Sequence, residues 1–179
     1  MSNYFYVVWA VILSLFLGCT HQNIRAIYYS EPEIQEVSNA AFDARIEIEK
    51  QKNPFYVSFQ LTLTNKTNAA LAIDWNRTRY LHKGEDLGVF VFQGIDPESV
   101  KTGIPKETVA PRATLSKRIS PHRTLALRSM RDTAAVGQSG IYAGILPGGT
   151  NTVRLVVDQA DRTWETPMSF NLITQKLPK

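Results

Sequence analysis

The stretch FDARIEIEKQKNPFYVSFQLTLTN, residues 42–65, decides the fold, because it alternates apolar and polar side chains twice in succession. From Phe42 to Ile48 every second residue is apolar, and the residues between are charged. From Phe55 to Leu63 every second residue is again apolar, with Ser, Gln and Thr among those between. A period of two is typical of a half-buried β-strand. The stretch therefore predicts two strands that are joined by a turn at residues 50–54.

Similar patterns continue on the C-terminal side of this stretch. Short strands are predicted at residues 71–75, 79–82, 87–93, 115–119, 125–127, 141–145, 152–158 and 164–173, with turns at 65–68 and 83–86. Three prolines between residues 95 and 111 argue against a central strand there. About nine short strands with evenly spaced turns predict an antiparallel, immunoglobulin-like β-sandwich, with a small barrel as the alternative.

The composition is that of a globular protein, since 44% of the 179 residues are hydrophobic and 20% are charged. The formal net charge of +4 is too small to indicate nucleic acid as a partner. Only one cysteine is present, so neither an internal disulfide nor the disulfide framework of antibody domains can form.

An uncharged apolar segment precedes the β-rich part and ends on that cysteine. Residues 7–17 are almost wholly apolar, and the segment ends Leu15-Phe16-Leu17-Gly18-Cys19. This ending resembles the lipobox of bacterial lipoproteins, in which a small residue precedes a cysteine. The resemblance implies that the Cys19 thiol takes a diacylglyceryl group, that the chain is cut before Cys19, and that the new amine is acylated. Two or more acyl chains give stable anchoring, and Thr20 implies sorting to the outer membrane, facing the periplasm.

The alternative for this segment is an uncleaved helix that spans the membrane. Residues 4–18 are fewer than the roughly 20 apolar residues that a spanning helix needs. A secretory signal normally begins with a positively charged region, and Met1-Ser2-Asn3 contains neither Lys nor Arg, which keeps this alternative open.

The sequence thus divides into three parts: a signal peptide at residues 1–18, a lipidated cysteine with a tether at 19–39, and a β-sandwich domain at 40–179. As a flexible linker, the tether would reach roughly 20–25 Å on average and would lift the domain clear of the lipid headgroups. Its apolar residues between 24 and 29 allow part of it to form a first edge strand instead.

Two motifs within the predicted domain carry a second resemblance. Residues 65–95 read NKTNAALAIDWNRTRYLHKGEDLGVFVFQGI, and residues 113–121, after a proline-rich stretch, read ATLSKRISP. The turns, the Asp74-Trp75 pair and the basic ending resemble those of uncharacterised bacterial lipoproteins with a single β-sandwich domain. The resemblance implies a fold and a place on the cell envelope, and it brings no activity with it.

No motif for a cofactor, a metal ion or a nucleophile is found in the sequence, and no cofactor is predicted. The histidines, His21, His82 and His122, lack the spacing of a zinc site. His82 could form a metal-ligand cluster with Asp74 or Asp86 only if the fold happened to bring these side chains together. With its only cysteine acylated, the chain would have no thiol nucleophile.

Two pairs of residues have both a structural and a functional interpretation. Glu47 and Glu49 would lie about 7 Å apart on one strand face, close to the separation of the carboxylates in retaining glycosidases. An exposed acidic strand is nevertheless the expected arrangement. Asn65 and Asn76 begin glycosylation sequons, yet both are expected to be turn residues.

One charge pattern predicts an interaction surface. A segment without acids carries six basic residues: Arg112, Lys117, Arg118, Arg123, Arg128 and Arg131. Residues 31–49 are the reverse, with six acids against Arg45. Either the two segments face each other or water, or the basic residues form a face for anionic lipid, cell-wall polymer or an acidic partner.

The sequence supports three functional hypotheses. The favoured one is a membrane-anchored, non-enzymatic envelope lipoprotein that binds an envelope protein, because sheet edges can add a partner's strand. The second is a glycan- or lipid-binding module, which needs an exposed aromatic groove; Trp75 and Trp164 fall in strand patterns and are expected in or beside the core instead. The third is a hydrolase whose site is assembled from distant residues.

Overall fold

The computed structural model describes residues 26–50, 54–92, 95, 97–127 and 141–176. Several predicted features lie outside the described residues: the signal peptide, Cys19, His21, Arg128 and Arg131. Residues 27–175 form one compact unit. Residues 1–26 and 176–179 are grouped apart from it, and of these only Ala26 and Lys176, each the terminal residue of a strand, are described.

The described chain is almost entirely β-strand. Its strands are β1 Ala26–Glu31, β2 Ile34–Ser38, β3 Phe42–Lys50, β4 Tyr56–Asn65, β5 Leu71–Ile73, β6 Arg79–His82, β7 Glu85–Gly88, β8 Phe90–Phe92, β9 Glu107–Val109, β10 Thr114–Pro121, β11 Ala126–Leu127, β12 Ile141–Tyr142, β13 Gly149–Gln159 and β14 Arg162–Lys176. Among the described residues, the helices are two 3-10 turns, Pro97–Thr102 and His122–Thr124.

Two sheets form a sandwich-like arrangement. One has the order β1-β14-β13-β5-β9, with β6 pairing with another part of β13 and β7 pairing with β6. The other has the order β2-β3-β4-β10-β8, and β11 and β12 pair separately. The pairs with a defined register are antiparallel. The prediction of a mostly antiparallel β fold is therefore confirmed.

The hairpin of β3 and β4 is the one that the sequence pattern predicted. Its register runs from Phe42 opposite Asn65 to Lys50 opposite Tyr56. The apolar residues of β3 and most of those of β4 are buried, while the outward face of β4 carries Ser, Gln and Thr. Hydroxyl groups join that face to β10, where Thr64 Oγ1 lies 2.9 Å from Thr114 Oγ1.

The predicted strand at residues 87–93 is wrong in one respect, because it is two strands in different sheets. β7 pairs with β6 in the larger sheet, and β8 pairs with β10 in the smaller one. Gly88 has a φ of +112°, which glycine adopts without steric strain. It lies where the chain leaves the larger sheet. The turn predicted at 83–86 is also shorter than expected, since Glu85 already belongs to β7. Alternation along a strand does not reveal which sheet the strand joins.

The described part of the predicted tether forms two edge strands. β1 lies at the edge of the larger sheet and β2 at the edge of the smaller one. Tyr56 fastens the turn between them, because its hydroxyl accepts from Ser30 N at 3.1 Å and donates to Glu33 Oε1 at 3.0 Å. The first-edge-strand alternative thus describes residues 26–38 better than a linker does.

The core lies between the two sheets and is rich in aromatic rings. Phe59 of β4 has its ring centroid 5.6 Å from that of Phe170 and about as close to those of Tyr80 and Phe90. Trp75 is fully buried, and Trp164 contacts the Phe42 ring edge-on at 5.9 Å. The expectation that both tryptophans of the domain belong in or beside the core is confirmed.

Two strands define the long axis of this unit and its two ends. β4 runs from Tyr56 to Asn65, and β13 runs from Gly149 to Gln159. We call the end at Tyr56 and Gly149 the groove end, and the end at Asn65 and Gln159 the far end. Ten residue steps along β13 separate the two ends by about 33 Å.

Candidate functional site

A groove of about 180 Å³ opens at the groove end and is lined mostly by aromatic and aliphatic side chains. Its lining consists of Tyr28, Tyr29, Phe55, Tyr56, Ile145, Leu146, Pro147, Gly148, Leu172, Ile173 and Thr174. The Tyr28 and Phe55 rings are tilted against each other, with centroids 4.5 Å apart. Ile145 is 56% exposed, so part of this apolar lining faces solvent. Apolar concave surfaces of this kind are typical of binding sites.

Four chain segments bring the groove together because their strands start or end at the same level. β1 contributes Tyr28, and the start of β4 contributes Phe55 and Tyr56. β14 is longer than its neighbour, since Leu172 already pairs with Gly149, the first residue of β13. The last residues of β14 therefore extend past β13 and supply one wall. The fourth segment is held to β4 by a hydrogen bond from Leu146 N to Tyr56 O at 2.9 Å.

Tyr56 is the polar element beneath this apolar lining. Burial, together with the nearby Glu33 carboxylate, raises the pKa of the Tyr56 phenol to about 12. The phenol therefore remains protonated at neutral pH and keeps donating its hydrogen bond to Glu33. Its position favours a structural role, in which it fixes the turn after β1, over a role as an acid or base.

Basic side chains stand around the groove. Lys50 Nζ lies 4.6 Å from the centroid of the Tyr56 ring, and Lys50 is exposed. Lys83 is also exposed, and its chain crosses Gly149, where a Cβ would come within 2.9 Å of Lys83 Cε. His82 Nε2 lies 3.1 Å from Gly148 O. The rim of the groove therefore carries the ammonium groups of Lys50 and Lys83 as well as the Glu33 carboxylate that accepts from Tyr56.

The described members of the predicted basic face do not form one surface. Lys117 and Arg118 are neighbours on β10, so their side chains point to opposite faces of the sheet. Arg112 lies in the turn before β10, where its Nε donates to Asn68 Oδ1 at 3.0 Å. Arg123 is exposed in the 3-10 turn that follows β10. The strand geometry thus distributes these four residues over separate parts of the surface.

Arg118 supports the other interpretation of the charge pattern, in which the basic and acidic segments face each other. Its Nε lies 2.5 Å from Glu49 Oε2, across the outer face of the smaller sheet. Glu47, two residues earlier, accepts from Arg45 at 3.1 Å. Both acids of the proposed carboxylate pair are therefore held by arginines on an outward strand face, as expected for an exposed acidic strand.

Lys117 faces inward and forms an ion pair between the two sheets. Its Nζ lies 2.5 Å from Glu107 Oε1 of β9, and Trp75 Nε1 donates to the other oxygen of Glu107 at 3.0 Å. The ammonium also lies 4.1 Å from the centroid of Phe92. Cation–π attraction of this kind adds to the ion pair. Sequence reasoning missed this contact, although Lys117 shares its strand face with two apolar residues and so carried a signal of burial.

The far end is polar, and its charges are paired. Lys106 Nζ lies 2.7 Å from Asp158 Oδ2 and 3.3 Å from Asp74 Oδ2. Arg77 Nη2 lies 2.9 Å from Glu165 Oε1. The hydrogen bond from Lys106 lowers the pKa of Asp158 below its ordinary value, and Thr163 adds to the effect. Asp74 also accepts from the backbone N–H groups of the turn that follows it.

The remaining candidates have structural roles. Among the described residues no group of three His, Cys, Asp or Glu side chains could hold a metal ion. His82 is near the groove while Asp74 is at the far end, and Asp86 is held by Arg79 and Arg154. The structure therefore does not bring the suggested His–Asp cluster together.

Of the two asparagines of the sequons, Asn76 lies in a turn, as expected, while Asn65 is the last residue of β4 and borders a turn. Asn65 is 1% exposed, and its Nδ2 donates to the carbonyl oxygens of Ala69, Val109 and Ala110. Asn76 exchanges two hydrogen bonds with the backbone of Ile104, at 2.6 Å and 2.8 Å. Their amides thus close turns of the described fold.

In comparison with known proteins, no family model, curated protein or solved structure matches the chain. The resemblance to bacterial lipoproteins therefore rests on the sequence motifs alone. No helix within the described residues combines the length and the apolar character that crossing a membrane requires.

Proposed function

We propose that this chain is a membrane-anchored bacterial envelope lipoprotein whose immunoglobulin-like β-sandwich serves as a non-enzymatic interaction module. Cys19 is the lipidated residue, and the domain faces the periplasm from the outer membrane. The groove is the observation that carries this proposal. It is an apolar surface partly open to solvent, and β1, whose first residue is seven positions after Cys19, forms one of its walls.

The chemistry of the groove favours binding over catalysis. Among the described residues that line it, the side chains are aromatic, aliphatic or hydroxyl-bearing, without a carboxylate, amine, imidazole or thiol. Edge strands offer a second means of contact, because β2 lies at the edge of its sheet and Ile34 on it is exposed. An exposed edge can add a strand from a protein partner.

A glycan- or lipid-binding module is the second candidate function, and the adjacent, tilted rings of Tyr28 and Phe55 are the observation that favours it. Aromatic faces bind the apolar faces of such ligands. This candidate predicts saturable binding of a soluble glycan or lipid by the protein in detergent, and substitution of Phe55 by Ser would weaken that binding. An interaction module for protein would instead yield a crosslinked envelope protein in a pull-down of the lipidated chain.

The anchor is tested on Cys19 itself. We expect mass spectrometry of the mature protein to find an N-terminal peptide that begins at Cys19 and carries acyl chains. The Cys19→Ser variant should lose the lipid and leave the processed membrane-bound pool, because no other cysteine can take its place. The control variant Thr20→Ser keeps the cysteine and should be processed as the wild type is. An unmodified peptide that spans Gly18 and Cys19 in the wild-type protein would contradict the lipid anchor.

A further inference from the structure

The position of β1 limits how far the domain can stand from the membrane. Six residues, 20–25, separate Cys19 from Ala26, the first residue of β1. Seven residue steps span at most about 25 Å, whatever their conformation. A tether that continued to residue 39 would span up to about 70 Å. The start of β1 is therefore confined to the neighbourhood of the headgroups if Cys19 is lipidated.

The surface that this short connection brings to the membrane carries exposed apolar side chains. Three large apolar side chains are exposed among the described residues, and two of them are at the groove end. Ile27 is 45% exposed and precedes the groove residue Tyr28, and Ile145 lines the groove. Ile27 lies on the strand face opposite Tyr28, so the exposed Ile145 beside the aromatic rings of the groove is the observation that marks a contact surface.

The groove end also has the chemistry of a membrane interface. Tyrosines such as Tyr28 and Tyr29 combine an apolar ring with a polar hydroxyl and are enriched at the level of the headgroups. Lys50 and Lys83, both exposed, can reach lipid phosphates while their aliphatic parts remain on apolar surface. The far end, about 33 Å away, offers paired charges instead.

We infer that the groove end rests on the headgroup layer of the membrane that holds Cys19, with Tyr28, Phe55 and Ile145 at the interface. This inference rests on the proposed lipid anchor. Because the anchor makes docking an intramolecular step with an effective concentration near the millimolar range, a weak contact is sufficient to populate the docked state. Docking occupies the groove with lipid, so the protein partner of the proposed function meets the edge of β2 and the far end, which remain open to the periplasm.

Single thiols introduced into the full lipidated chain test this arrangement. Cys19 is blocked by its thioether, so Ile145→Cys, Phe55→Cys and the far-end control Asp161→Cys each provide one reactive thiol. Each variant carries an environment-sensitive fluorophore and is reconstituted on vesicles of phosphatidylethanolamine and phosphatidylglycerol. Ile145 and Asp161 are exposed, so these two labels do not disturb the core. The Ile145 label thus remains informative if Phe55→Cys fails to fold.

We expect the emission of the labels at positions 145 and 55 to move to shorter wavelength and to be quenched by spin-labelled lipid. The label at 161 should keep its emission in water. On vesicles of phosphatidylcholine alone, or with Lys83→Glu, the docked fraction should fall severalfold, because the attraction to anionic lipid is lost.

Two different failures are distinguished by vesicle flotation. If the protein floats with the vesicles while the label at 145 keeps its emission in water, docking is overturned and the anchor stands. Equal shifts at 145 and 161 also overturn docking, because the contact is then not confined to one end. If the wild-type protein does not float, the lipid anchor fails and the docking inference fails with it.

Discussion

The two ends of the same sandwich have opposite surface chemistry. At the groove end, aromatic and aliphatic side chains line an open surface, and Ile145 is left exposed. At the far end, Lys106 bridges two aspartates, and the buried amide of Asn65 closes a turn. The strands between them bury one continuous core. Each end can therefore differ in chemistry without changing how the sheets pack.

The difference between the two ends shows which polar and apolar groups stabilise the fold. A buried polar group is stable only when its hydrogen bonds are satisfied, and the far end satisfies them within the chain. An exposed apolar group contributes little to folding, because it loses little water contact. The far end is thus explained by stability, while the exposed part of the groove end is best explained by a contact with something outside the chain.

The largest effect should be a difference in stability between alanine variants of two adjacent groove residues, Leu146 and Ile145. Leu146 is 3% exposed, and Leu146→Ala should lower the free energy of unfolding by about 3 kcal/mol, because it leaves a cavity in the core. Ile145→Ala should change it by less than about 0.5 kcal/mol. Urea unfolding of both variants measures the difference. Equal losses would mean that the exposed lining also belongs to the core, and the distinction between the two ends would then fail.

A smaller effect is expected at the far end from Asn65→Ala. Loss of the amide removes its hydrogen bonds to three carbonyl oxygens, although Thr67 Oγ1 still donates to Ala69 O and Ala113 N to Ala110 O. It also leaves Thr67 N without the Asn65 Oδ1 that accepts its hydrogen bond at 2.9 Å. An unpaired buried polar group costs about 1–3 kcal/mol, so we expect a loss of about 2 kcal/mol in urea unfolding. The neighbouring Asn68→Ala is the matched control, since Asn68 is exposed and bonds a single arginine. A loss no greater than that of the control would show that the turn does not depend on the buried amide.

The smallest expected effect is a change in how the stability of the fold depends on acidic pH. The pKa of Asp158 is lowered in the folded chain from the ordinary value of 3.8, chiefly by the hydrogen bond from Lys106. The stabilisation is present above pH 3.8, and it is lost as the pH falls through the folded pKa, because the unfolded chain takes up the proton first. Unfolding midpoints of Asp158→Asn and of the wild type should therefore converge in acid.

Lys106→Met provides the check on that cause. It removes the strongest partner of Asp158 and should flatten the pH dependence in the same way as Asp158→Asn. If Lys106→Met leaves the pH profile of the wild type unchanged, the far-end charge pair does not contribute to stability as described.

Sequence patterns were sufficient to predict those structural features that depend only on neighbouring residues in the chain. The alternation from Phe42 to Leu63 gave the central hairpin. The separate strand pattern at residues 71–75 placed Trp75 in or beside the core. The pattern was insufficient at Val89, where the chain moves from one sheet to the other, because the continuous apolar run around it does not show which sheet each part joins. The inward position of Lys117 could have been predicted from its strand face, whereas its partner Glu107 could not, since β9 belongs to the opposite sheet.

The candidate site was not predictable from the residues that form it. Tyr28 and Phe55 are separated by 27 positions in the sequence, and Ile145 follows much later. They meet because strands of unequal length from both sheets end at one level. The four described residues of the predicted basic face, in contrast, are close in sequence but point in different directions on a strand and its turns.

By itself, the sequence determined a β-rich body, a mostly antiparallel fold and a single cysteine behind an apolar segment. Periodicity and composition are local properties, so they can be read without coordinates. Only the tertiary structure decided that β1 begins at Ala26, that the charged segments pair through Arg118 and Glu49, and that an apolar groove opens beside β1. These features depend on which distant strands become neighbours, and that choice is made by the packing of the whole core.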